Sequence, residues 1–133
     1  MNTNKYYTES NRYFENGLEL LKKSGKNGKY YLDSKYVSSA CGVAYKGVIV
    51  ALKGFLEYRG VKPPKNRGSI EYYHENIGKI DRKMLNALNA VYQILHLSGY
   101  YDGLTNIKVI QEGFEEAKFL INKIKPINGF VNN

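Results

Sequence analysis

The segment "SSACGVAYKGVIVALKGFLEY" (residues 38–58) carries small side chains at a regular helical spacing, and it constrains the fold more than any other stretch. Steps of four and three residues separate Ala40, Ala44, Gly47, Ala51 and Gly54. This spacing places all five on one face of an α-helix, here named the small-residue seam. An interior glycine costs about 0.5–1 kcal/mol relative to alanine. Two glycines in register therefore predict the close approach of a neighbouring helix.

The remaining faces of this helix are also largely apolar. Beside the seam runs a bulky stripe with the same spacing, formed by Cys41, Tyr45, Val48, Leu52 and Phe55. The only polar line is formed by Lys46, Lys53 and Glu57. A helix of this kind must be covered on several sides, so we expect it at the centre of a bundle. Four other helices can hardly cover it completely, so we also expect a homodimer. The residues expected to face the second subunit are Val43, Ile49, Val50 or Leu56.

Apolar residues recur at helical spacing in most of the chain, and period-two alternation is nowhere sustained. This pattern predicts an all-α fold, an up-and-down bundle of four to five helices. The helices are predicted over residues 6–23, 32–60, 69–79, 81–99 and 105–125, with Ser69, Asp81 and Thr105 as caps or first residues. The glycines of "SGKNGK" end the first helix and the prolines of "RGVKPPKNRG" end the second. We expect one domain over residues 1–133, frayed at residues 1–5 and 126–133.

The formal net charge of +8 favours anionic partners, and nucleic acid is the obvious class. An equally weighted alternative is that the abundance of Lys, Asn, Ile and Tyr reflects coding bias. The candidate contacts to nucleic acid are Lys62, Lys65, Arg67 and Arg82. We find no apolar run near the roughly 18 residues of a membrane span. The start "MNTNKYYTES" lacks the features of a signal peptide, so we expect a soluble, cytoplasmic protein with no membrane contact.

Few residues offer chemistry of their own. Cys41 is the single cysteine, and His74 and His96 are the two histidines. They form no HxxxH or HExxH spacing, and glycine-rich phosphate motifs are missing, so we predict no metal and no cofactor. The thirteen tyrosines, several of them in doublets, could stack bases between cations. Because the doublets fall at predicted helix ends, we interpret most of them as packing residues.

The segment "SSACGVAYKGVIVALKGFLEYRGVKPPKNRG" resembles the HEPN superfamily of small helical domains. The resemblance lies in the order of a small-residue helix, a loop with glycine, prolines and basic residues, a short helix, and a helix ending in "LHLSGYYDG". It covers roughly residues 6–125. It implies a bundle of four or five helices that is frequently dimeric. Some members are metal-independent ribonuclease toxins paired with a nucleotidyltransferase antitoxin, and others bind RNA or nucleotides without catalysis.

The catalytic pair of the superfamily is an arginine and a histidine near the end of the fourth helix. This sequence has His96 there without the arginine, and Arg82 lies fourteen residues earlier. Arg67 and His74 match the bare spacing but fall at the entry to the third helix. We therefore expect a non-catalytic, dimeric module that contacts RNA, a nucleotide or a partner protein such as a nucleotidyltransferase. The alternative is a ribonuclease toxin in which Arg67 shares a phosphate with His74, or with His96 across the dimer.

Overall fold

The central element of the fold is α2 (Ser34–Tyr58), which packs against α1 over most of its length. The computed structural model describes residues 3–65 and 69–125 of the chain. They form an up-and-down helical bundle, which confirms the predicted all-α class. The other helices are α1 (Thr3–Ser24), α3 (Ile70–Gly78), α4 (Arg82–Val91), a π-helix (Tyr92–Tyr101) and α5 (Ile107–Asn122). A two-stranded antiparallel hairpin, β1 (Lys26–Asn27) and β2 (Tyr30–Tyr31), joins α1 to α2.

The small-residue seam of α2 faces α1, and all five of its residues are buried. A Cβ atom added at Gly47 would lie 2.8 Å from the carbonyl oxygen of Ser10. One added at Gly54 would lie 2.5 Å from the ring of Tyr6. Gly17 of α1 meets the seam from the other side, since its Cβ would lie 3.1 Å from the carbonyl oxygen of Ala40. The glycines therefore let the two helix backbones approach closely.

The other faces of α2 are covered unevenly. The bulky stripe is buried except for Tyr45, which is half-buried, and Lys46, Lys53 and Glu57 are exposed. Leu56 is 2% exposed within a single chain, so the expectation that it faces a second subunit is wrong. Val43, Ile49 and Val50 remain half-buried.

By length and composition alone, α2 is apolar enough to cross a membrane, contrary to the expectation that no such stretch exists. Most of the qualifying window, 56%, is buried inside the bundle. A buried central helix of a helical bundle meets the same two criteria, because it too must be apolar on several faces.

Two connections differ from the predicted helix boundaries. The hairpin occupies "GKNGKYY", where the sequence predicts only the end of the first helix. Gly28 takes the positive φ that the turn of the hairpin requires. The N-cap of α5 is Asn106 and not Thr105. The reason is that the Thr105 carbonyl accepts a hydrogen bond from the Tyr31 N–H at 2.9 Å, which keeps this residue in the strand-like connection. The caps of α3 and α4 are Ser69 and Asp81, as predicted.

The predicted fourth helix is two elements in the structure. α4 ends at Val91, and the chain continues to Tyr101 as a ten-residue π-helix, which has a wider turn than an α-helix. Gly99 of this π-helix lies on Cys41 of α2, where an added Cβ would overlap the sulfur atom. Single-turn π-bulges are the usual form of this structure and occur often at functional sites. A π-helix of this length therefore marks its surroundings as a candidate functional site.

The bundle has two distinct ends. The hairpin end holds the hairpin, the start of α2, the end of the π-helix and the start of α5, joined by hydrogen bonds from Tyr31 to Thr105 and from Ile107 to Lys29. The loop end holds the end of α2, the connection to α3, and the start of α4. α2 has 25 residues, so at 1.5 Å per residue the two ends are roughly 37 Å apart.

Candidate nucleic-acid interface

Both histidines of the chain lie in one aromatic cluster between α2, α3 and the π-helix. The His96 ring stacks on Tyr45 of α2, with ring centroids 4.5 Å apart, and on Tyr92 one turn earlier, at 5.2 Å. His74 of α3 contacts the same Tyr92 edge-on at 6.0 Å. Burial raises the pKa of Tyr45 to about 12, and the neighbouring Tyr92 and Tyr73 add to that shift. Tyr92 therefore connects two histidines that the sequence separates by 22 positions.

The surroundings of the two imidazoles favour packing over acid–base chemistry. Burial lowers the pKa of His96, so its stacked ring is neutral near pH 7. The Nε2 atom of His74 is buried without a hydrogen-bond partner. Among residues 3–65 and 69–125, neither histidine makes an ion pair. Arg67, the proposed catalytic partner of either one, lies outside the described residues.

The aromatic cluster reaches solvent at the end of the π-helix. Tyr101 contacts His96 edge-on at 5.0 Å and Tyr100 at 5.1 Å. The Tyr100 side chain is 45% exposed and that of Tyr101 is 67% exposed. Gly42 of α2 makes room for the Tyr100 ring, since a Cβ there would lie 2.8 Å from it. These two exposed rings are therefore positioned by the packing beneath them.

An open groove of about 470 Å³ runs beside these rings, between the start of α2 and the end of the π-helix. The hydroxyl of Ser38 donates a hydrogen bond to the Tyr100 carbonyl at 2.8 Å and fixes one wall. The lining combines hydroxyls, one ammonium, one carboxylate and two rings: Ser34, Lys35, Ser38, Ser39, Tyr100, Tyr101 and Asp102, with Gly103. Such a lining offers both stacking surfaces and polar contacts to a bound molecule.

Exposed aromatic side chains concentrate at the hairpin end. Among the described residues, five of the six exposed large apolar side chains lie there: Tyr30, Leu32, Tyr36, Tyr100 and Tyr101. Three lysines from the same end of the bundle, Lys29, Lys35 and Lys108, are also exposed. We name this set, the four exposed tyrosines and these three lysines, the hairpin surface. The backbone pairing of β2 with residues 105–106 joins the hairpin to the segment that follows the π-helix.

The basic residues predicted from the sequence lie elsewhere. Lys62 and Lys65 are exposed in the connection between α2 and α3, and Arg82 is the exposed first residue of α4. All three belong to the loop end, and Arg67 lies outside the described residues. The one exposed large aromatic at this end, within the described part of the chain, is Tyr58. The structure therefore places Lys62, Lys65 and Arg82 at the opposite end of the bundle from the exposed rings of Tyr100 and Tyr101.

The tyrosine doublets were the available sequence signal for the hairpin surface. Their position at helix ends predicts packing for most of these tyrosines, yet Tyr100 and Tyr101 are both exposed. Tyr101 packs against His96, and Tyr100 packs against Tyr101. Much of the surface of each of the two tyrosines is left in solvent. The described residues contain no group of three or more His, Cys, Asp or Glu side chains able to hold a metal ion.

Comparisons with known proteins identify a family and a structural neighbour. A family model described as a domain of unknown function (DUF5618) matches residues 5–126. A solved structure of a protein of unknown function from Dyadobacter fermentans is 34% identical, covering 93% of this chain and 97% of that chain, with a TM-score of 0.84. No curated protein matches the chain.

Proposed function

Because the chain belongs to the DUF5618 family, whose function is not known, we propose a function from the site itself: a non-catalytic module that binds single-stranded RNA on the hairpin surface. The observation that carries this proposal is the concentration of exposed tyrosines among lysines at one end of the bundle. Proteins that bind single strands without reading sequence combine a positive surface with aromatic rings on which bases stack. The hairpin surface has both components.

The aromatic component supplies a prepared stacking surface. Tyr100 and Tyr101 contact His96, which in turn packs against both Tyr45 and Tyr92. A base that stacks on Tyr101 therefore meets a ring whose position is already set by packing, so little side-chain entropy is lost on binding. Because its pKa is lowered by burial, His96 adds no charge to this stack near pH 7.

The cationic component comes from three different elements, namely Lys29 of the hairpin, Lys35 of α2 and Lys108 of α5. Each lysine that neutralises a phosphate releases counterions, and this gives the binding a salt dependence. The carboxylate of Asp102 repels a phosphate group within the groove. A base edge or a ribose hydroxyl is therefore the favoured contact there. The ring surface and the lysines together therefore match a flexible strand better than a rigid duplex.

Catalysis is not part of the proposal. A metal-independent ribonuclease needs a cation beside the proton-transfer group. The described surroundings of His96 are tyrosine rings, and burial lowers its pKa. The resemblance to the HEPN superfamily points the same way, since it implies RNA or nucleotide binding for members that have lost catalysis. A homodimer, expected from the apolar circumference of α2, and a nucleotidyltransferase partner, implied by the resemblance, stay predictions.

Fluorescence anisotropy with a labelled, unstructured RNA oligonucleotide at low ionic strength tests the proposal. Tyr101→Ala should weaken binding about 5- to 150-fold, since one stacked base contributes about 1–3 kcal/mol. Tyr101→Phe should retain most of the affinity because the ring remains. The matched control is Tyr58→Ala, which removes an equally exposed ring at the loop end and should change nothing.

A second arm of the experiment tests the lysines. Replacing Lys29, Lys35 and Lys108 by glutamine should lower the slope of log K against log salt by about 2, since each phosphate that is neutralised by the protein adds roughly 0.7 to that slope. The proposal fails if the protein shows no salt-dependent affinity for RNA. It also fails if Tyr58→Ala weakens binding as much as Tyr101→Ala.

A further inference from the structure

A second groove lies on a different face of the bundle, between α1 and α5, and has a volume of about 430 Å³. Its apolar lining comes from both helices: Phe14, Leu18 and Leu21 of α1 and Phe114 of α5. The rings of Phe14 and Phe114 pack together with centroids 5.7 Å apart. A volume in the range of about 300–1,000 Å³ with mostly apolar walls is typical of small-molecule sites.

The polar groups of this groove are distributed unequally along its length. α1 ends and α5 begins at the hairpin, so the two helices are antiparallel and the hairpin marks one end of the groove. At that end lie the ammonium groups of Lys22 and Lys26, with Gln111 and the nearly buried Tyr31. Gln111 and Tyr31 line the groove together, and burial raises the pKa of Tyr31 against a smaller, lowering effect of the Gln111 side chain.

The opposite end of the groove is different. Glu15 lies seven residues before Lys22 on α1, about 10 Å away at 1.5 Å per residue. Glu15 and Glu115 make no ion pair among the described residues, whereas Glu19 pairs with Lys22 at 3.5 Å. Away from the hairpin, the lining holds the carboxylates of Glu15 and Glu115 and one ammonium group, that of Lys118, so it is net negative there. At the hairpin end, Lys22 and Lys26 outweigh Glu19, so an anionic group finds its partner at that end.

We propose that this groove binds a small amphipathic carboxylate of the fatty-acid class, with its alkyl chain along Phe14, Leu18 and Phe114. The carboxylate head lies at the hairpin end, where Lys26 and Lys22 are its cationic partners and Gln111 is a neutral donor. The ammonium group of Lys22 then interacts with both the carboxylate head and Glu19. The unequal distribution of charge selects one orientation, since the reverse orientation would bring the head to Glu15 and Glu115. This site uses none of the residues of the hairpin surface.

Titration with hexanoate, octanoate and decanoate below their micelle-forming concentrations tests the proposal on the intact chain. Calorimetry should give an affinity that rises up to about fourfold for each added CH₂, because burial of one CH₂ contributes about 0.8 kcal/mol. In amide NMR spectra of the same samples, the largest shifts should fall near Leu18 and Gln111. Decan-1-ol should bind more weakly than decanoate.

Variants separate the apolar and charged contributions. The double variant Lys22→Gln/Lys26→Gln should weaken decanoate about tenfold and leave decan-1-ol unchanged, because only the carboxylate makes charge-assisted hydrogen bonds. Lys118→Gln, at the far end of the groove, is the matched control and should leave the affinity for decanoate unchanged. Leu18→Gln should weaken both probes, and its thermal melt shows whether the fold is retained.

Three results would overturn the proposal. The first is an affinity for the acids that does not change with chain length, which would indicate surface association only. The second is an equal loss of decanoate affinity in Lys118→Gln and in the Lys22/Lys26 variant. The third is a set of shifts confined to the hairpin surface. RNA affinity measured with saturating decanoate present keeps the two proposals apart, since it should not change.

Discussion

The hairpin end and the loop end of the bundle both carry several exposed cations but differ in their exposed aromatic surface. Lys26, Lys29, Lys35 and Lys108 lie at the hairpin end, and Lys62, Lys65, Arg82 and Lys83 lie at the loop end. Four exposed tyrosines accompany the first set, and Tyr58 alone accompanies the second within the described residues. Net charge therefore identifies a class of partner without locating its site. The rings make the two ends distinguishable.

The largest expected effect concerns the packing of the small-residue seam of α2 against α1, which runs along most of the bundle between its two ends. Gly47→Leu should lower the free energy of unfolding by about 3 kcal/mol, the upper part of the range for overpacking. The added side chain would meet the backbone of Ser10 and the Cβ of Tyr13, neither of which can move without shifting α1. Thermal and urea melts measure the change.

Lys53→Leu is the control for this first prediction, because Lys53 is exposed on the polar line of the same helix. Its melt should be close to that of the parent. A Gly47→Leu protein as stable as the parent would mean that α1 does not pack on the seam, and the division into two ends would lose its basis.

The second effect compares one substitution at both ends. Gly99→Ala in the π-helix should destabilise by about 1–2 kcal/mol, because its Cβ would come within 2.9 Å of the Cβ of Cys41 as well as meeting the sulfur. Gly78→Ala at the loop end meets only the flexible Leu85 side chain at 3.3 Å. Since alanine favours a helix over glycine, Gly78→Ala should be neutral or slightly stabilising. Equal melting temperatures for the two variants would contradict the tight packing of the hairpin end.

The third effect is a sensitivity to acid at the hairpin end. The folded protein lowers the pKa of His96 below its ordinary value of 6.5, so the unfolded chain binds more protons between the two values. The free energy of unfolding should therefore be constant above about pH 7 and fall as the pH drops through 6.5. Urea melts at pH 7.5, 6.5 and 5.5 measure it. In His96→Phe, the decrease in the free energy of unfolding between pH 7.5 and 5.5 should be smaller. If the decrease is as large as in the parent, a group other than His96 causes it.

The smallest effect is expected at the loop end. Replacing Lys62, Lys65 and Arg82 by glutamine should leave the melting temperature close to that of the parent, because these side chains are exposed. The RNA affinity should change by no more than about twofold at moderate salt, because the three side chains lie apart from the hairpin surface. Anisotropy with the same oligonucleotide measures this. A loss equal to that of the Lys29/Lys35/Lys108 variant would move the proposed interface to the loop end.

The helical part of the fold was predictable because its signals are local. The seam of α2 follows from a four-three spacing, and the caps of α3 and α4 follow from Ser69 and Asp81. The hairpin was missed because its strands have two residues each, too few for alternation to appear. The π-helix was missed because Gly99 and Tyr100 are placed by contacts with Cys41 and Gly42, which are distant in sequence.

The candidate site was less accessible to sequence reasoning for the same reason. Lys29, Lys35 and Lys108 belong to three separate segments that only the fold brings together. The exposure of Tyr101 depends on which side of the π-helix faces α2. Because tyrosine is common on both buried and exposed helix faces, the pattern of apolar residues does not decide between the two sides. The resemblance to the HEPN superfamily and the cytoplasmic location stay predictions.

Cys41 is fully buried beneath Gly99, and burial raises the pKa of its thiol to about 12. Since thiol reagents attack the thiolate, the native chain should react with them very slowly. With one cysteine in the sequence, each modification event reports a single place. The labelling rate of the unaltered protein therefore records the openings that expose Cys41, which include separation of the π-helix from α2, and a ligand held at Tyr100 and Tyr101 should slow it. The chain thus contains its own kinetic probe of motion beneath the proposed RNA surface.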